Sequence, residues 1–231
     1  MSCAHPWETV GSVSTLTPGV LPLDVRDVVF EYVPGTRVLD SWSAQFEAGS
    51  VTALTGPSGR GKSTLLYLLG LMLRPRSGSI LVDGNDVTRL ADAQLAHLRA
   101  ERFGFVFQDA ALDPSRSILD NVTETALYRG QSRRSVTPRA LDLLTRFGVD
   151  IPPKRKPGQV SGGQAQRIAL CRALLAHPKI LLADEPTGNL DPATTTLVVD
   201  ALRDHARNGA AVIIVTHSPE VAAACDRELR L

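Results

Sequence analysis

A glycine-rich segment in the first third of the chain constrains the fold more than any other feature. Residues 56–64 read Gly-Pro-Ser-Gly-Arg-Gly-Lys-Ser-Thr and match the pattern G-x-x-x-x-G-K-[ST]. The short apolar run 51–55 before this segment predicts a strand, and the pattern 62–73 after it predicts a helix. Glycines let backbone N–H groups turn inward around an anion, and a helix N-terminus adds a positive dipole end. The segment therefore predicts a phosphate-binding loop between a strand and a helix.

The residue types in this loop suit a nucleoside triphosphate. We expect Lys62 to place its charge on the β and γ phosphates and Ser63 to ligate Mg²⁺. The alternative is a glycine-rich turn that precedes a helix by coincidence, which typical residue usage would produce on the order of once per hundred chains of this length. The candidate nucleotide-binding residues of the loop are Gly56, Pro57, Ser58, Gly59, Arg60, Gly61, Lys62, Ser63 and Thr64.

Two adjacent carboxylates follow another apolar run. Residues 180–183 read Ile-Leu-Leu-Ala and predict a buried strand that ends in Asp184 and Glu185. Ligands of open α/β sheets bind at the carboxyl edge of the strands, and adjacent strand residues face opposite ways. We expect Asp184 to hold the Mg²⁺ shell and Glu185 to turn toward the γ-phosphate, where it orients or deprotonates the attacking water. The alternative is that both residues only cap the turn after the strand.

Strand and helix patterns alternate through most of the chain. Strands are predicted at 25–33, 51–55, 80–82, 103–107, 180–183 and 211–215. Helices are predicted at 62–73, 91–102, 118–147, 161–176, 192–208 and from 219 onward. Strands that alternate with helices favour an α/β fold, with a mostly parallel sheet covered on both faces.

Cap and breaker residues refine the helix boundaries. Pro138 is expected at a helix start, because proline suits the first helical position and Thr137 precedes it. Gly130 and Gly148 are expected to end the two helical patterns of the middle block. Asp191 is expected to cap the helix 192–208.

Composition excludes several classes of protein. The 231 residues are enough for a substantial core, and 25 basic against 24 acidic residues give a net charge of +1, so no nucleic-acid partner is expected. No apolar run approaches the roughly 18 residues that span a bilayer, so we do not expect the chain to cross a membrane by itself. The three cysteines show no metal-ligand spacing and indicate a reducing compartment. Residues 1–23 predict a weakly ordered extension without the features of a signal peptide.

Further motifs resemble those of the ATP-binding-cassette (ABC) ATPases. The string Val160-Ser161-Gly162-Gly163-Gln164 is similar to the signature sequence of that family, with Val where the family usually has Leu. Gln108, after Phe105-Val106-Phe107, resembles the glutamine of the Q-loop, and Asn189-Leu190-Asp191 resembles the D-loop. His217 resembles the switch histidine, and Tyr32 stands where the family places an aromatic ring that stacks on adenine. On its own, Ser161 would be read only as a helix N-cap.

This resemblance, which covers residues 24–231, implies a fold and a mechanism. It implies a RecA-like P-loop NTPase core with an N-terminal antiparallel β subdomain and an inserted helical subdomain at about residues 110–176. It implies ATP and Mg²⁺ as cofactors, with Gln108 as a further metal ligand and His217 holding the γ-phosphate. It also implies a head-to-tail dimer with a second copy or a homologous subunit, in which the signature segment and Asp191 complete the nucleotide site of the other subunit.

Three longer strings, at 76–84, 102–108 and 183–191, look like the ATPase subunits of the macrolide-export, lipoprotein-release and antimicrobial-peptide-resistance group. That group works with separate permeases, which implies an ATPase peripheral to the cytoplasmic face of the membrane that powers export or extraction of a substrate. Residues 109–115 differ from the sequence that is usual in this group, in a region where the family contacts the permease.

A second hypothesis for the function is a non-transport ABC ATPase that acts as a mechanical signaller, for example in cell-wall division. A chromosome-associated ATPase would need a long coiled coil between Ser63 and Ser161, and the sequence shows none there. A translation factor usually carries two cassettes, whereas this sequence shows one. A kinase or nucleotidyl transferase would not explain residues 161–164 or His217.

Overall fold

The computed structural model describes residues 19–57 and 59–231, so Ser58, Cys3 and most of the extension predicted at 1–23 lie outside the described residues. The strands are β1 Leu23–Val33, β2 Thr36–Phe46, β3 Val51–Thr55, β4 Ser77–Val82, β5 Asn85–Asp86, β6 Phe103–Val106, β7 Ile180–Asp184, β8 Ala211–Val215 and β9 Arg227–Arg230. The helices are α1 Lys62–Leu69, α2 Asp92–Arg102, α3 Ile118–Tyr128, α4 Arg133–Arg146, α5 Gly162–Leu175, α6 Pro192–Arg207 and α7 Pro219–Ala223, with a 3₁₀ turn at Pro157–Gln159.

A parallel sheet forms the centre of the fold. Its five strands lie in the order β6-β7-β8-β3-β9, and every neighbouring pair is parallel. All residues of β7 and β8 are buried, because packed layers cover both faces of the sheet. The predicted α/β fold with a parallel sheet is therefore confirmed.

Side chains of the central strands alternate between two hydrophobic cores. Leu181 and Ala183 of β7 belong to the core on the face covered by α3, α4, α5 and α6. Ile180 and Leu182 belong to the core on the opposite face, which α1, α2 and a second sheet complete. The continuous apolar run of the sequence is the consequence of this burial on both sides.

The second sheet is antiparallel and lies beside α1. Its strands follow the order β2-β1-β4-β5, and its inner face contributes Leu23, Val25, Val28 and Phe30 to the core shared with α1. The sequence patterns did not predict β2, because most of this strand is exposed and reads as a polar segment. Its place is set by pairing with β1 rather than by its own hydrophobicity.

Three helices, α3, α4 and α5, pack against one another on the other side of the parallel sheet. The prediction that a helix starts at Pro138 is wrong, because α4 begins at Arg133, where the Ser132 hydroxyl accepts a hydrogen bond from the N–H of Ser135 at 3.2 Å. Pro138 lies inside α4. Because proline has no N–H, one carbonyl close to the start of the helix has no helical hydrogen-bond donor. Gly130 and Gly148 follow α3 and α4 with φ of +67° and +61°, which confirms the predicted helix ends.

Two other boundaries differ from the predictions. Helix α1 ends at Leu69 rather than at residue 73, because Leu71 adopts a left-handed conformation with φ of +58°. The edge strand β9 was not predicted, since its Arg-Glu-Leu-Arg sequence has no apolar run. Among the described residues, every helix is too short or too polar to cross a bilayer.

Candidate active site

Four predicted motif residues follow the ends of four strands in the parallel sheet. Gly56 follows β3, Gln108 lies two residues beyond β6, Glu185 follows β7, and His217 lies two residues beyond β8. Because the strands are parallel, their carboxyl ends meet at one edge of the sheet, which is where α/β folds bind ligands. The topology therefore brings segments from distant parts of the chain to one place.

The loop after β3 closes around the side chain of Lys62. This side chain is buried, and its ammonium donates hydrogen bonds to the carbonyl oxygens of Gly56 at 2.9 Å and Pro57 at 2.8 Å. Gly56 has a φ of +138°, and a Cβ there would lie 2.6 Å from the carbonyl oxygen of Leu231. Only glycine fits this position, because both the backbone angle and the close approach exclude a side chain.

The remaining loop residues surround the start of α1. Gly61, with φ of +86°, directly precedes the helix, and a Cβ there would lie 2.6 Å from Cγ1 of Val38. Gly59 and Arg60 are exposed. Ser58 lies outside the described residues. The N-terminus of α1 thus faces the loop with its first N–H groups, as expected for a site that binds phosphate.

Ser63 and Asp184 form a pair of oxygen donors at the start of α1 and the end of β7. Asp184 is buried, and this burial raises the pKa of its carboxyl group. A hydrogen bond from Ser63 and the charge of Lys62 act in the opposite direction and lower that pKa. A hydroxyl beside a carboxylate fits Mg²⁺, which prefers hard oxygen ligands and is commonly held by one or two protein groups together with phosphates.

Glu185 lies beyond the strand in a left-handed conformation with φ of +46°. Its direction is therefore set by this strained turn and not by the strand alternation that the sequence suggested. Oε2 accepts a hydrogen bond from the hydroxyl of Thr216 at 3.4 Å, and Oε1 is buried and accepts none from the described residues. His217 Nε2 lies 3.7 Å from Oε1. Burial raises the pKa of Glu185, and the nearby His217 lowers it.

Thr216 is a site residue that the sequence reasoning missed. It is fully buried between Val215 and His217, and its hydroxyl also accepts a hydrogen bond from the N–H of Ser218 at 3.1 Å. A threonine directly before the histidine at a strand end was the available signal. Its role became visible only when the neighbouring strand placed Glu185 beside it.

Tyr32, near the end of β1, contacts helix α1. Its hydroxyl lies 3.1 Å from Oγ1 of Thr64, within hydrogen-bond distance, and its ring packs edge-on against Phe30. Tyr32 as a whole is 61% exposed, so part of its side chain is available to a ligand next to the phosphate loop. This position is compatible with the predicted contact to a nucleobase.

The segment that resembles the signature sequence starts α5. Ser161 and Gln164 form a capping box, in which the N–H of Gln164 donates to Ser161 Oγ at 3.2 Å and Gln164 Oε1 accepts from the N–H of Ser161 at 2.9 Å. Ser161 and Gly162 are exposed. Gly163 packs close to Asn189, where a Cβ would lie 3.3 Å from the backbone oxygen. The described residues show no hydrogen bond between this segment and the phosphate loop.

Asp191 caps α6, as predicted. Its Oδ1 accepts a hydrogen bond from the N–H of Thr194 at 3.0 Å, and its Oδ2 accepts one from the Thr194 hydroxyl at 2.6 Å. These bonds lower the pKa of Asp191. The N-termini of α5 and α6 are neighbours, because Gly163 lies close to the backbone of Asn189, and both Ser161 and Asp191 are exposed.

Two side chains of α5 were also missed by the sequence reasoning. Gln166 Nε2 donates to the carbonyl of Phe107 at 3.2 Å, and the Arg172 guanidinium donates to the carbonyls of Ala110 and Ala111. No sequence pattern indicates these contacts, because backbone carbonyls of a distant loop are the acceptors.

The fold and this site define a P-loop ATPase, and comparisons with known proteins agree. Residues 39–188 match the family model described as ABC transporter. The lipoprotein-releasing system ATP-binding protein LolD of Geobacter metallireducens is 44% identical over 213 residues, which cover 90% of this chain and 95% of that protein. The macrolide export ATP-binding/permease protein MacB 1/2 of Paracoccus denitrificans is 42% identical over 210 residues, covering 90% of this chain and 31% of that protein.

A solved structure shares the whole architecture. A dimeric ATP-binding cassette in a post-hydrolysis state, bound to ADP and Pi, superposes with a TM-score of 0.84 at 32% identity, covering 90% of this chain and 94% of that one. This chain therefore belongs to the ABC transporter family, as the resemblance predicted. It is an ATP-binding, ATP-hydrolysing member of that family.

Proposed function

We propose that this chain is the motor subunit of a transporter whose channel lies in a separate membrane permease. One observation carries the hydrolytic part of the proposal. The buried carboxylate of Glu185 leaves Oε1 without a hydrogen bond among the described residues, at the same sheet edge as Lys62 and the Ser63–Asp184 pair. An unpaired buried acceptor is costly unless it has a partner in function. A water molecule that attacks the γ-phosphate of ATP supplies that partner.

The phosphate loop and its neighbours hold the nucleotide. The loop 56–64 binds the phosphates through the backbone N–H groups of its residues other than Pro57, and the Lys62 ammonium exchanges its loop carbonyls for the β and γ phosphates. Tyr32 stacks on the adenine ring. Ser63 and Asp184 would hold Mg²⁺, with Gln108 as a further ligand from the end of β6. Bound Mg²⁺ would neutralise charge on the β and γ phosphates.

Hydrolysis depends on Glu185 and His217. Glu185 Oε1 accepts a hydrogen bond from the attacking water and removes its proton as the water oxygen bonds to the γ-phosphorus. The bond from that phosphorus to the bridging oxygen of ADP breaks at the same time, and ADP and inorganic phosphate are the products. Thr216 holds the other carboxylate oxygen and so fixes the orientation of the group. His217, which is half-exposed beside Glu185, donates to the γ-phosphate and keeps it in line.

The second half of each site comes from another subunit. The exposed N-terminus of α5, with residues 161–164, and the neighbouring Asp191 face the nucleotide of a second copy or a homologous subunit. The related dimeric cassette bound to ADP and Pi supports this arrangement. ATP favours the closed dimer because it contacts both subunits, and hydrolysis removes part of that interaction.

A groove beside the Q-loop is the proposed docking site for the permease. It has a volume of about 580 Å³ and lies between α2, β6, α3 and α5, with mostly apolar walls. Phe107 and Ala111, which flank Gln108, form part of one wall. We assign the groove to an amphipathic segment of the permease, because an occupant that contacts the chain on both sides of Gln108, at Phe107 and Ala111, couples its own position to the nucleotide site.

The transport reaction is export or extraction of a substrate from the membrane. Two relatives carry names that refer to lipoprotein release and macrolide export, and both chemistries involve apolar or lipid-anchored molecules. We propose a substrate of this class for this chain and a location on the cytoplasmic face, where the permease holds it.

The test is reconstitution of the full chain with its permease in liposomes that contain a lipid-anchored protein. We expect ATP-dependent release of the anchored protein and loss of that release with Lys62→Ala. ATP hydrolysis in the complex without movement of apolar or lipid-anchored molecules would contradict transport and favour a mechanical signaller. Release that is unaffected by Lys62→Ala would contradict the assignment of the phosphate loop.

A further inference from the structure

The segment after β6 contains two strained residues. Ala110 and Ala111 are consecutive alanines with φ of +61° and +44°. Left-handed conformations are unfavourable for residues with a Cβ, and two in succession persist only when the surroundings hold them. They lie two and three residues after Gln108, so contacts that fix these alanines also restrict the predicted metal-contacting residue.

Arg172 of α5 holds these alanines. Its side chain is buried, with Nη1 2.7 Å from the carbonyl oxygen of Ala111 and Nη2 2.8 Å from that of Ala110. Within the described residues, this guanidinium forms no ion pair with a carboxylate, and Glu124 and Asp109 act on it only through their charges. Its burial is offset by the two backbone carbonyls, and the more distant charges of Glu124 and Asp109 favour its charged state.

A second side chain of α5 holds the other end of the segment. Gln166 is 3% exposed, and its Nε2 donates to the carbonyl of Phe107 at 3.2 Å. Gln108 therefore lies between two points that are both attached to α5. The same helix carries the signature segment at its N-terminus.

We propose that Arg172, assisted by Gln166, is a positioning residue that fixes the Gln108 segment to α5, so that Gln108 and the signature segment 161–164 move as one unit relative to the phosphate loop. This inference rests on the proposed function, in which Gln108 contacts the metal site. We call the contacts of Arg172 and Gln166 with this segment the clamp. Loss of the clamp uncouples Gln108 from the signature segment without removing either motif. ATP affinity, which depends on the phosphate loop and Tyr32, stays intact, and turnover falls.

The matched pair Arg172→Lys and Arg139→Lys tests the inference. Lysine keeps the charge but cannot donate from two fixed nitrogens to two carbonyls. Arg139 is the control, because its guanidinium also donates to two carbonyls, but these belong to Leu175 and Leu174 at the C-terminal end of α5 and not to the segment after Gln108. For both variants we would measure kcat, KM for ATP, Tm and amide hydrogen exchange of residues 109–113.

We expect Arg172→Lys to lower kcat about tenfold with KM unchanged, as is common when a group that orients a ligand is lost. We expect about tenfold faster exchange in 109–113. Arg139→Lys should change neither. The double variant of Arg172→Lys with Gln108→Ala should be no slower than Gln108→Ala alone, since both changes remove the same contact.

The outcomes separate this inference from the proposed function. Unchanged exchange in 109–113 after Arg172→Lys, or an equal effect of Arg139→Lys on kcat, would overturn the clamp. Additive losses in the double variant would show that Arg172 acts only through overall stability and would also overturn it. Faster exchange with wild-type kcat in both Arg172→Lys and Gln108→Ala would instead contradict the role of Gln108.

Discussion

His217 Nε2 lies 3.7 Å from Oε1 of Glu185, although the two residues follow different strands of the parallel sheet. The same Oε1 is buried and accepts no hydrogen bond from the described residues, while Oε2 is held by Thr216. A carboxylate with one fixed oxygen and one free oxygen is oriented for proton transfer. In the proposed mechanism, the histidine next to the free oxygen contacts the γ-phosphate that the attacking water approaches.

Glu185→Gln removes the proposed base while keeping nearly the same shape. We expect kcat to fall by about 10²–10⁴-fold, which is the usual contribution of a general base, with ATP affinity retained. A closed dimer should then accumulate with ATP, measurable by size-exclusion chromatography. Glu220→Gln, on the exposed first turn of α7, is the control and should retain the wild-type rate. Wild-type hydrolysis by Glu185→Gln would remove Glu185 from this role.

Lys62→Ala removes the buried cation of the phosphate loop. We expect ATP affinity to fall by about 100-fold, since hydrogen bonds to charged groups contribute about 1.5–3 kcal/mol each. Titration with a fluorescent ATP analogue measures this change. Lys179→Ala removes a lysine that is half-buried near Asp83 and should bind ATP normally. An unchanged affinity in Lys62→Ala would refute the phosphate-loop assignment.

Tyr32 offers a ring and a hydroxyl that can be tested separately. Tyr32→Ala should raise KM for ATP about tenfold, because stacking of an aromatic ring on a base contributes about 1–3 kcal/mol. Tyr32→Phe keeps the ring and loses only the contact with Thr64, so we expect KM for ATP to rise only about threefold. Tyr128→Ala, an exposed tyrosine of α3, is the control for nucleotide binding. Equal KM values for Tyr32→Ala and Tyr32→Phe would contradict the stacking role.

Two loop glycines distinguish backbone strain from steric exclusion. Gly59 and Gly56 have φ of +78° and +138°, but only a Cβ on Gly56 would meet a neighbour, the Leu231 carbonyl oxygen at 2.6 Å. We expect Gly59→Ala to lower the free energy of unfolding by about 1 kcal/mol and Gly56→Ala by about 2–3 kcal/mol. Urea denaturation measures both. A smaller loss for Gly56→Ala than for Gly59→Ala would show that Leu231 moves aside freely.

The proposed docking groove can be blocked from α2. Ala96 lines the groove, and Ala96→Arg places a long charged side chain in it. We expect this variant to lose most of the ATPase stimulation by the reconstituted permease, while ATP affinity equals that of the unmodified chain. Ala93→Arg, on an exposed part of the same helix outside the groove, is the matched control. Full stimulation of Ala96→Arg would place the permease elsewhere.

Much of the site could be predicted because its residues are adjacent in the chain to strong local patterns. The loop 56–64 follows a short apolar strand and starts a helix, and Asp184 and Glu185 end a strand that is apolar along its whole length. In both places the local pattern and the tertiary fold favour the same structure. The helix caps Ser161 and Asp191 were predictable for the same reason.

Pairing and burial between distant segments determined the remaining features. Strands β2 and β9 form because β1 and β3 offer backbone partners, and their own sequences are too polar to indicate a strand. Pro138 is accommodated inside α4 because that helix already starts at Arg133, with Ser132 as its N-cap. The strained turn at Glu185 and the hold of Arg172 on Ala110 likewise arise from contacts between remote segments. Local preferences carry no information about such contacts, since the free energy that stabilises them comes from partners that only folding brings together.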